Sequence, residues 1–297
     1  MRTLLNVIFA PGFFQSSEVF NALVLGTVVA VISGVVGVFA VIRGQSFAGH
    51  ALADFGATGA SGAFLIGVNA LWGFLSVGIL GGAGMDLLGK RPRERDVATG
   101  IILSFMLGIG ALFLYFTTTE KNISGAPITI LFGSIFLVDA RMIPIIVILG
   151  IITLLVVLFL YRPLILSSIH PDLARSRGVN VRLLSMLFMS ALAMTVEQSA
   201  IVIGALLSTA LLIGPAATAI RLTSSISHAI VLSVFIGLTV TWGGILLAYD
   251  SYYFPPVGRG WPVSFFVASL ILVFYMLAQL YTAKNIRKKD MIAKESS

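Results

Sequence analysis

No cysteine occurs in this chain of 297 residues. That absence excludes a disulfide framework, a thiolate metal centre and a cysteine nucleophile. Charge is scarce too: Asp, Glu, Lys and Arg make up 10% of the residues, where a soluble domain carries about a quarter. With 58% of the chain hydrophobic, a globular core does not account for the deficit, and lipid is the expected solvent for most of the surface. Also missing are HExxH, G-x-S-x-G and any pair of carboxylates in an intelligible catalytic arrangement, so an enzyme reading has no residues to name. The stretch Gly84-Met85-Asp86-Leu87-Leu88-Gly89-Lys90-Arg91 follows most of the phosphate-loop pattern. Arg91 stands where Ser or Thr must hold Mg²⁺, and the stretch follows an apolar span instead of a β-strand. No nucleotide site and no bound cofactor are expected of this chain.

Apolar stretches of membrane-spanning length, about 20 residues each, recur along the whole sequence. Spans are expected at 19–42, 51–68, 70–88, 97–117, 142–160, 228–248 and 262–282, and the long stretch 183–220 divides into two near 197–199. The fold class is therefore an all-α polytopic membrane protein with about nine transmembrane helices. Residues 1–297 form a single transmembrane domain, with 1–18 an interfacial N-terminus and 283–297 a basic tail. The N-terminal apolar run lacks a small-residue cleavage site and reads as a short interfacial helix instead of a signal peptide. The piece 128–138 is too short to cross and reads as a re-entrant or surface helix.

The net charge of +7 is no nucleic-acid signature. Its basic residues gather at 90–95, between Arg162 and Arg182, and in the tail at Lys284, Arg287, Lys288, Lys289 and Lys294. All three clusters fall on one side of the nine spans, and the positive-inside rule puts that side, with the C-terminus, in the cytoplasm. The loops 118–140 and 249–261 then face outward, where Tyr252, Tyr253 and Trp261 suit a headgroup-level aromatic belt. Small residues crowd Gly49 to Ala63, which suits a helix packed closely inside the bundle.

An ionisable group inside the membrane is costly and marks a candidate site. His50 and Asp54 lie four apart on one expected helix, hence on one face, and Thr58 extends the stripe. Imidazole nitrogen with carboxylate oxygen suits Zn²⁺, Mn²⁺ or Fe²⁺, whereas Cu(I) prefers sulfur. One helix cannot complete a coordination sphere, but two copies about a dimer axis would supply four ligands. A plain His–Asp ion pair that anchors the helix start is the other reading. Glu197 is expected at a hairpin end, exposed to water, with a ligand as the other reading. His228, beside Ser224, Ser225 and Ser227, reads as a helix-capping residue, and Asp139 and Arg141 as solvated loop charges. The connector from His170 to Val181 places Pro171 and Asp172 before Arg175, Arg177 and Gly178, the order of a short capped helix with charges matched to its dipole. Such a helix either docks into a partner's groove or lies as an amphipathic turn on the lipid surface.

At these residues the chain resembles the permease subunits of bacterial manganese, zinc and iron ABC importers. Three stretches carry the resemblance: Ser46-Phe47-Ala48-Gly49-His50-Ala51-Leu52-Ala53-Asp54 with Gly56 and Gly59; Pro171-Asp172-Leu173-Ala174 through Gly178-Val179-Asn180-Val181; and Gly204-Ala205-Leu206-Leu207 through Gly214-Pro215-Ala216-Ala217-Thr218-Ala219. Weaker matches at 96–100 and 132–135 extend it over about 19–281. The family usually places Asp first and His four residues later; here the order is reversed, which moves each ligand by about 5.4 Å along the helix.

The resemblance implies the helical permease fold shared with cobalamin and siderophore importers, in a bacterial plasma membrane. It implies a metal path through His50 and Asp54, with Thr58 adjoining. It also implies coupling to an ATPase through Pro171, Asp172, Leu173, Ala174, Arg175 and Gly178. The implied partners are a second copy of the chain, a cytoplasmic ATP-binding-cassette dimer that hydrolyses the ATP, an extracytoplasmic metal-binding protein, and lipid. Carriage of an iron chelate or cobalamin is the alternative cargo. A stand-alone secondary transporter would show inverted repeats or several charged residues within spans, and neither is seen.

Overall fold

The computed structural model describes residues 13, 16–88, 92–121, 123, 125–133, 135–136, 138–253 and 260–295. The expected interfacial helix at the N-terminus, Lys90 and Arg91 of the first basic cluster, and Ser134 lie outside the described residues. Among the described residues all regular structure is helical. The long helices are α1 (Ser17–Ile42), α2 (Ser46–Ile66), α3 (Ala70–Leu88) and α4 (Pro92–Thr119); a short α5 (Ala126–Phe132) follows. A 3-10 turn (Ala140–Met142) leads into α6 (Ile143–Ile169), then a short α7 (Pro171–Ser176), α8 (Val181–Ile203), α9 (Ala205–Leu222), α10 (Ile226–Ser251) and α11 (Val263–Glu295). In hydrocarbon no water is available to the backbone, so each crossing segment must satisfy its own N–H and C=O groups, and the helix does that.

Among the described residues nine long helices thus occupy the nine expected stretches. Among those residues seven of them are long and apolar enough to cross a membrane by length and composition alone, and the fully described part of α3, Ala70–Met85, is also apolar but shorter; α2 is the one whose composition falls short. Its surroundings explain why. Helix α2 is buried over most of its length and packs on α3, α4, α8 and α9, so it needs small residues more than apolar ones. Helix α3 shares that close contact: Gly59 and Gly73 meet backbone to backbone, each where the other's Cβ would sit.

Two helices form the centre. In α8 72% of the apolar window is buried and in α1 67%, against 11% in α4, which faces outward. The lower core joins Phe39 of α1, Leu52 and Phe55 of α2, Leu164 of α6, and Phe188 and Leu192 of α8. The upper core joins Leu25 and Val29 of α1 with Val240 of α10 and Val267 of α11. Arg43, at the end of α1, donates to Ser167 Oγ at 3.0 Å and lies 5.5 Å over the Phe188 ring. That cation ties the ends of α1, α6 and α8 together.

Two boundaries differ from expectation. Helix α6 continues to Ile169 and carries Arg162 and Pro163 within it. The division of 183–220 falls at Gly204 (φ +99°), not at 197–199. The polar run Glu197-Gln198-Ser199 looked like a turn because it interrupts an apolar stretch, yet it is fully helical and buried. At the other end of α8, Asn180 accepts a hydrogen bond from Leu183 N at 3.1 Å. Asn180→Ala should cost about 1 kcal/mol for the lost cap, read as a small downward shift of the melting temperature in detergent.

The piece expected to be too short to cross is α5, which starts with Pro127 in its first turn and buries Ala126 and Ile130. Tyr252, Tyr253 and Trp261, expected at headgroup level, are exposed where α10 ends and α11 begins.

Candidate functional site

Helix α2 starts two residues after Gly44, whose φ of +65° turns the chain back after α1. Four residues into α2, His50 emerges half exposed, and one turn later Asp54 is nearly buried: the side chains are 48% and 11% exposed. Their Nε2 and Oδ2 atoms face each other at 3.8 Å. That is too long for a hydrogen bond. Two ligands about 2.1 Å from one ion at a tetrahedral angle sit about 3.4 Å apart, so a small side-chain adjustment lets both contact a single cation.

His50 opens onto a groove of about 580 Å³ that also touches Thr209, Ile213 and Gly214 of α9 and Ile271 and Tyr275 of α11. The walls are nearly all apolar, so the imidazole is the main ligating group on that surface. Gly49, beside His50, brings α2 against α9: a Cβ there would lie 2.9 Å from Leu212 Cδ2. Tyr275 is itself held, since Gln279 Nε2 donates to its hydroxyl at 3.0 Å and Arg221 lies 5.5 Å over its ring. The late Gly-Pro-Ala-Ala stretch thus forms one wall of the groove that His50 enters, joining two segments far apart in sequence.

Thr58 continues the stripe by spacing, but its neighbours differ. Its hydroxyl reaches Asp54 O at 3.0 Å and Met106 O of α4 at 2.9 Å, so it serves the α2–α4 contact. Among the described residues no three His, Asp or Glu side chains converge to hold a metal ion within one chain. Any full coordination sphere at His50 and Asp54 therefore needs further ligands from outside this chain or from water.

Glu197 is the residue the sequence misplaced. It is 0% exposed, and both of its carboxylate oxygens lack a hydrogen-bond partner among the described residues. The carboxylate is seated against Gly56 of α2 and Gly78 of α3, where a Cβ at either position would collide with it. The signal that would have found it is chemical: an acid inside a long apolar stretch is a functional candidate by default.

His228 is exposed in the first turn of α10, as expected of a residue near a helix start, and Ser227 beside it pairs with the Tyr161 hydroxyl at 2.9 Å. Asp139 caps the 3-10 turn by accepting from Arg141 N at 2.9 Å, and both residues are exposed. At the other candidate site, α7 begins with Pro171, and Gly178 (φ +79°) follows its C-terminal end. Val179 N donates to Ala174 O at 3.0 Å, which closes the helix end. Ala174 is completely buried while Leu173 is 43% exposed. Asp172 and Arg175 pair across one turn at 3.2 Å, both in solvent. The helix is thus pinned by its inner face and presents an apolar side chain between two charges.

Known proteins share this layout. The profile of the ABC 3 transport family matches residues 15–279. The manganese transport system membrane protein MntC of Listeria monocytogenes is 30% identical over 249 residues, 84% of this chain and 86% of that protein. Among solved structures, PsaBC from Streptococcus pneumoniae in complex with Fab superimposes with a TM-score of 0.75 at 26% identity, covering 94% of this chain and 95% of that one. A metal-chelate type ABC transporter in an inward-facing conformation gives 0.67 at 17% identity over 91% and 88% of the two chains, a likeness of fold alone.

Proposed function

The chain belongs to the ABC 3 transport family, and from that premise we propose that it is the membrane-spanning permease subunit of an ATP-driven importer of divalent transition-metal ions, with Mn²⁺ the first cargo to test. The observation that carries the cargo is the His50–Asp54 pair, face to face at 3.8 Å on a buried helix whose His50 opens onto an apolar groove. A divalent ion entering that groove loses water and gains an imidazole nitrogen and a carboxylate oxygen. The carboxylate offsets one of its two charges, which matters where the walls offer little else. The same pair from a second copy of the chain would raise the protein ligands to four, with the two copies related by a dimer axis. The reversed order of His and Asp keeps both ligand types one turn apart, so the pair remains able to share an ion.

Energy comes from outside the chain. A cytoplasmic ATP-binding-cassette dimer would engage α7 through Leu173 and its flanking charges, and an extracytoplasmic binding protein would deliver the metal. The basic clusters favour a cytoplasmic C-terminus and a multi-pass placement in a bacterial plasma membrane. An ion suits the pair better than an iron chelate or cobalamin, because two ligating side chains serve a cation that is not already fully ligated.

The test is uptake. The chain is expressed with its cognate ATPase and binding protein in cells that lack high-affinity importers, and cell-associated Mn, Zn and Fe are measured by mass spectrometry. Mn should accumulate with the wild type, and His50→Ala and Asp54→Ala should each lower that gain by about tenfold or more at equal protein level. Uptake that survives both substitutions would make the pair structural. Accumulation of Zn or Fe in place of Mn would reassign the cargo, and no metal at all from an assembled complex would favour a chelate.

A further inference from the structure

Three ionisable side chains of α2 and α8 differ stepwise in exposure, with His50 at the groove: His50 48%, Asp54 11%, Glu197 0%. The last has no local structural explanation. Its neighbours along α8 direct their hydrogen-bonding groups elsewhere: Thr195 to Ala191 O, Gln198 Nε2 to Met194 O, and Ser199 to Thr195 O and the Ser33 hydroxyl. Gly56 and Gly78 supply space but no side-chain donor. Among the described residues no group donates a hydrogen bond to either carboxylate oxygen of Glu197. An unpaired carboxyl at this depth needs a positive partner, a proton or a cation.

We propose that Glu197 is a second, deeper station for the transported divalent cation, taking the ion after it leaves His50 and Asp54. This rests on the reading of the chain as a metal-ion permease. The three groups do not converge on one site, so the ion is passed between two positions and is not held by all three at once. In the present conformation the backbones of α2 and α3 close over the Glu197 carboxylate at Gly56 and Gly78. The station therefore opens only when the seam between α2, α3 and α8 loosens. The two glycines fit this role: neither sets a side chain against the carboxyl, so a small separation there is enough to admit an ion. Oxygen ligation at the second station after mixed nitrogen and oxygen ligation at the first suits Mn²⁺ and Fe²⁺ better than softer ions.

The permease–ATPase complex reconstituted in liposomes with its binding protein, and Mn²⁺ as the probe, tests this. Glu197→Gln keeps the shape and removes the charge. Initial Mn²⁺ uptake should fall about tenfold or more, while the ATPase still co-purifies with the permease in wild-type amount. Glu197→Asp keeps the charge on a shorter arm and should raise the Mn²⁺ concentration for half-maximal uptake. A purely structural role predicts the reverse ranking, with the neutral glutamine as good as glutamate or better. Wild-type uptake in the glutamine variant overturns the proposal and leaves the permease reading standing. If the glutamine variant does not yield an assembled complex, the aspartate variant decides, and an unchanged half-saturating concentration overturns it as well. If the wild-type complex moves no divalent ion, the cargo reading and this station fall together.

Discussion

Gly204→Val should leave little assembled protein, the largest structural loss expected from a single methyl-bearing substitution in this bundle. Gly204 sits between α8 and α9 at φ +99° and ψ 151°, a region only glycine occupies without strain of about 1–3 kcal/mol. Space is also lacking. A Cβ there would meet Leu131 O and Phe132 C and lie 2.6 Å from Gly133 N, all at the end of α5. Gly133 answers from the other side: its φ is +76°, and its own Cβ would come within 2.5 Å of Gly204 N and Ile203 C. Overpacking of this kind adds about 1–3 kcal/mol. The two contributions together are a large part of a typical stability of about 5–15 kcal/mol. Gly67→Ala is the control. Its φ is +77° but nothing lies within 4 Å of the added Cβ, so only the left-handed backbone cost of about 1–2 kcal/mol remains. Yield and melting temperature by size exclusion in detergent separate the two cases. Equal losses would show that the α5 contact contributes nothing.

The largest functional loss outside the ion path is expected from Leu173→Glu. If α7 docks the ATPase, Leu173 is its apolar contact, because Ala174 is already buried within this chain and Asp172 and Arg175 satisfy each other. A charge in place of an anchoring apolar side chain costs about 2 kcal/mol or more at an interface. Metal uptake should then fall more than about tenfold, and the ATPase should be lost from the purified complex while the permease itself melts as wild type does. Asp172→Ala should do far less, since an exposed ion pair is worth about 0–1 kcal/mol. Retention of the ATPase by the Leu173 variant would assign docking to another surface.

Lipid explains why most of this architecture could be read from sequence. It requires about 20 apolar residues per crossing, so the helices announce themselves by length, and His50 and Asp54 stand out as charges where charge is costly. What sequence could not supply is who covers whom. Spacing put Thr58 on the stripe of His50 and Asp54, correctly as a matter of helix geometry, but α4 passes over that point and takes its hydroxyl at Met106 O. Glu197 shows the same gap more sharply. A polar triplet inside an apolar stretch reads locally as a turn, and its burial depends on Gly56 and Gly78, which are distant in sequence and become its neighbours only in the folded bundle. The α8–α9 break was legible in kind and misplaced in position, since Gly204, beyond the triplet, makes the turn.

Helix α11 runs for 33 residues without a break, about 50 Å of rod against a hydrocarbon thickness of about 30 Å. Its early turns carry Ile271 and Tyr275, which wall the His50 groove, and its last turns carry the run Arg287-Lys288-Lys289. Groove wall and basic end are one stiff piece. Any tilt imposed on one end of so stiff a rod would be carried along it to the wall of the groove that His50 enters.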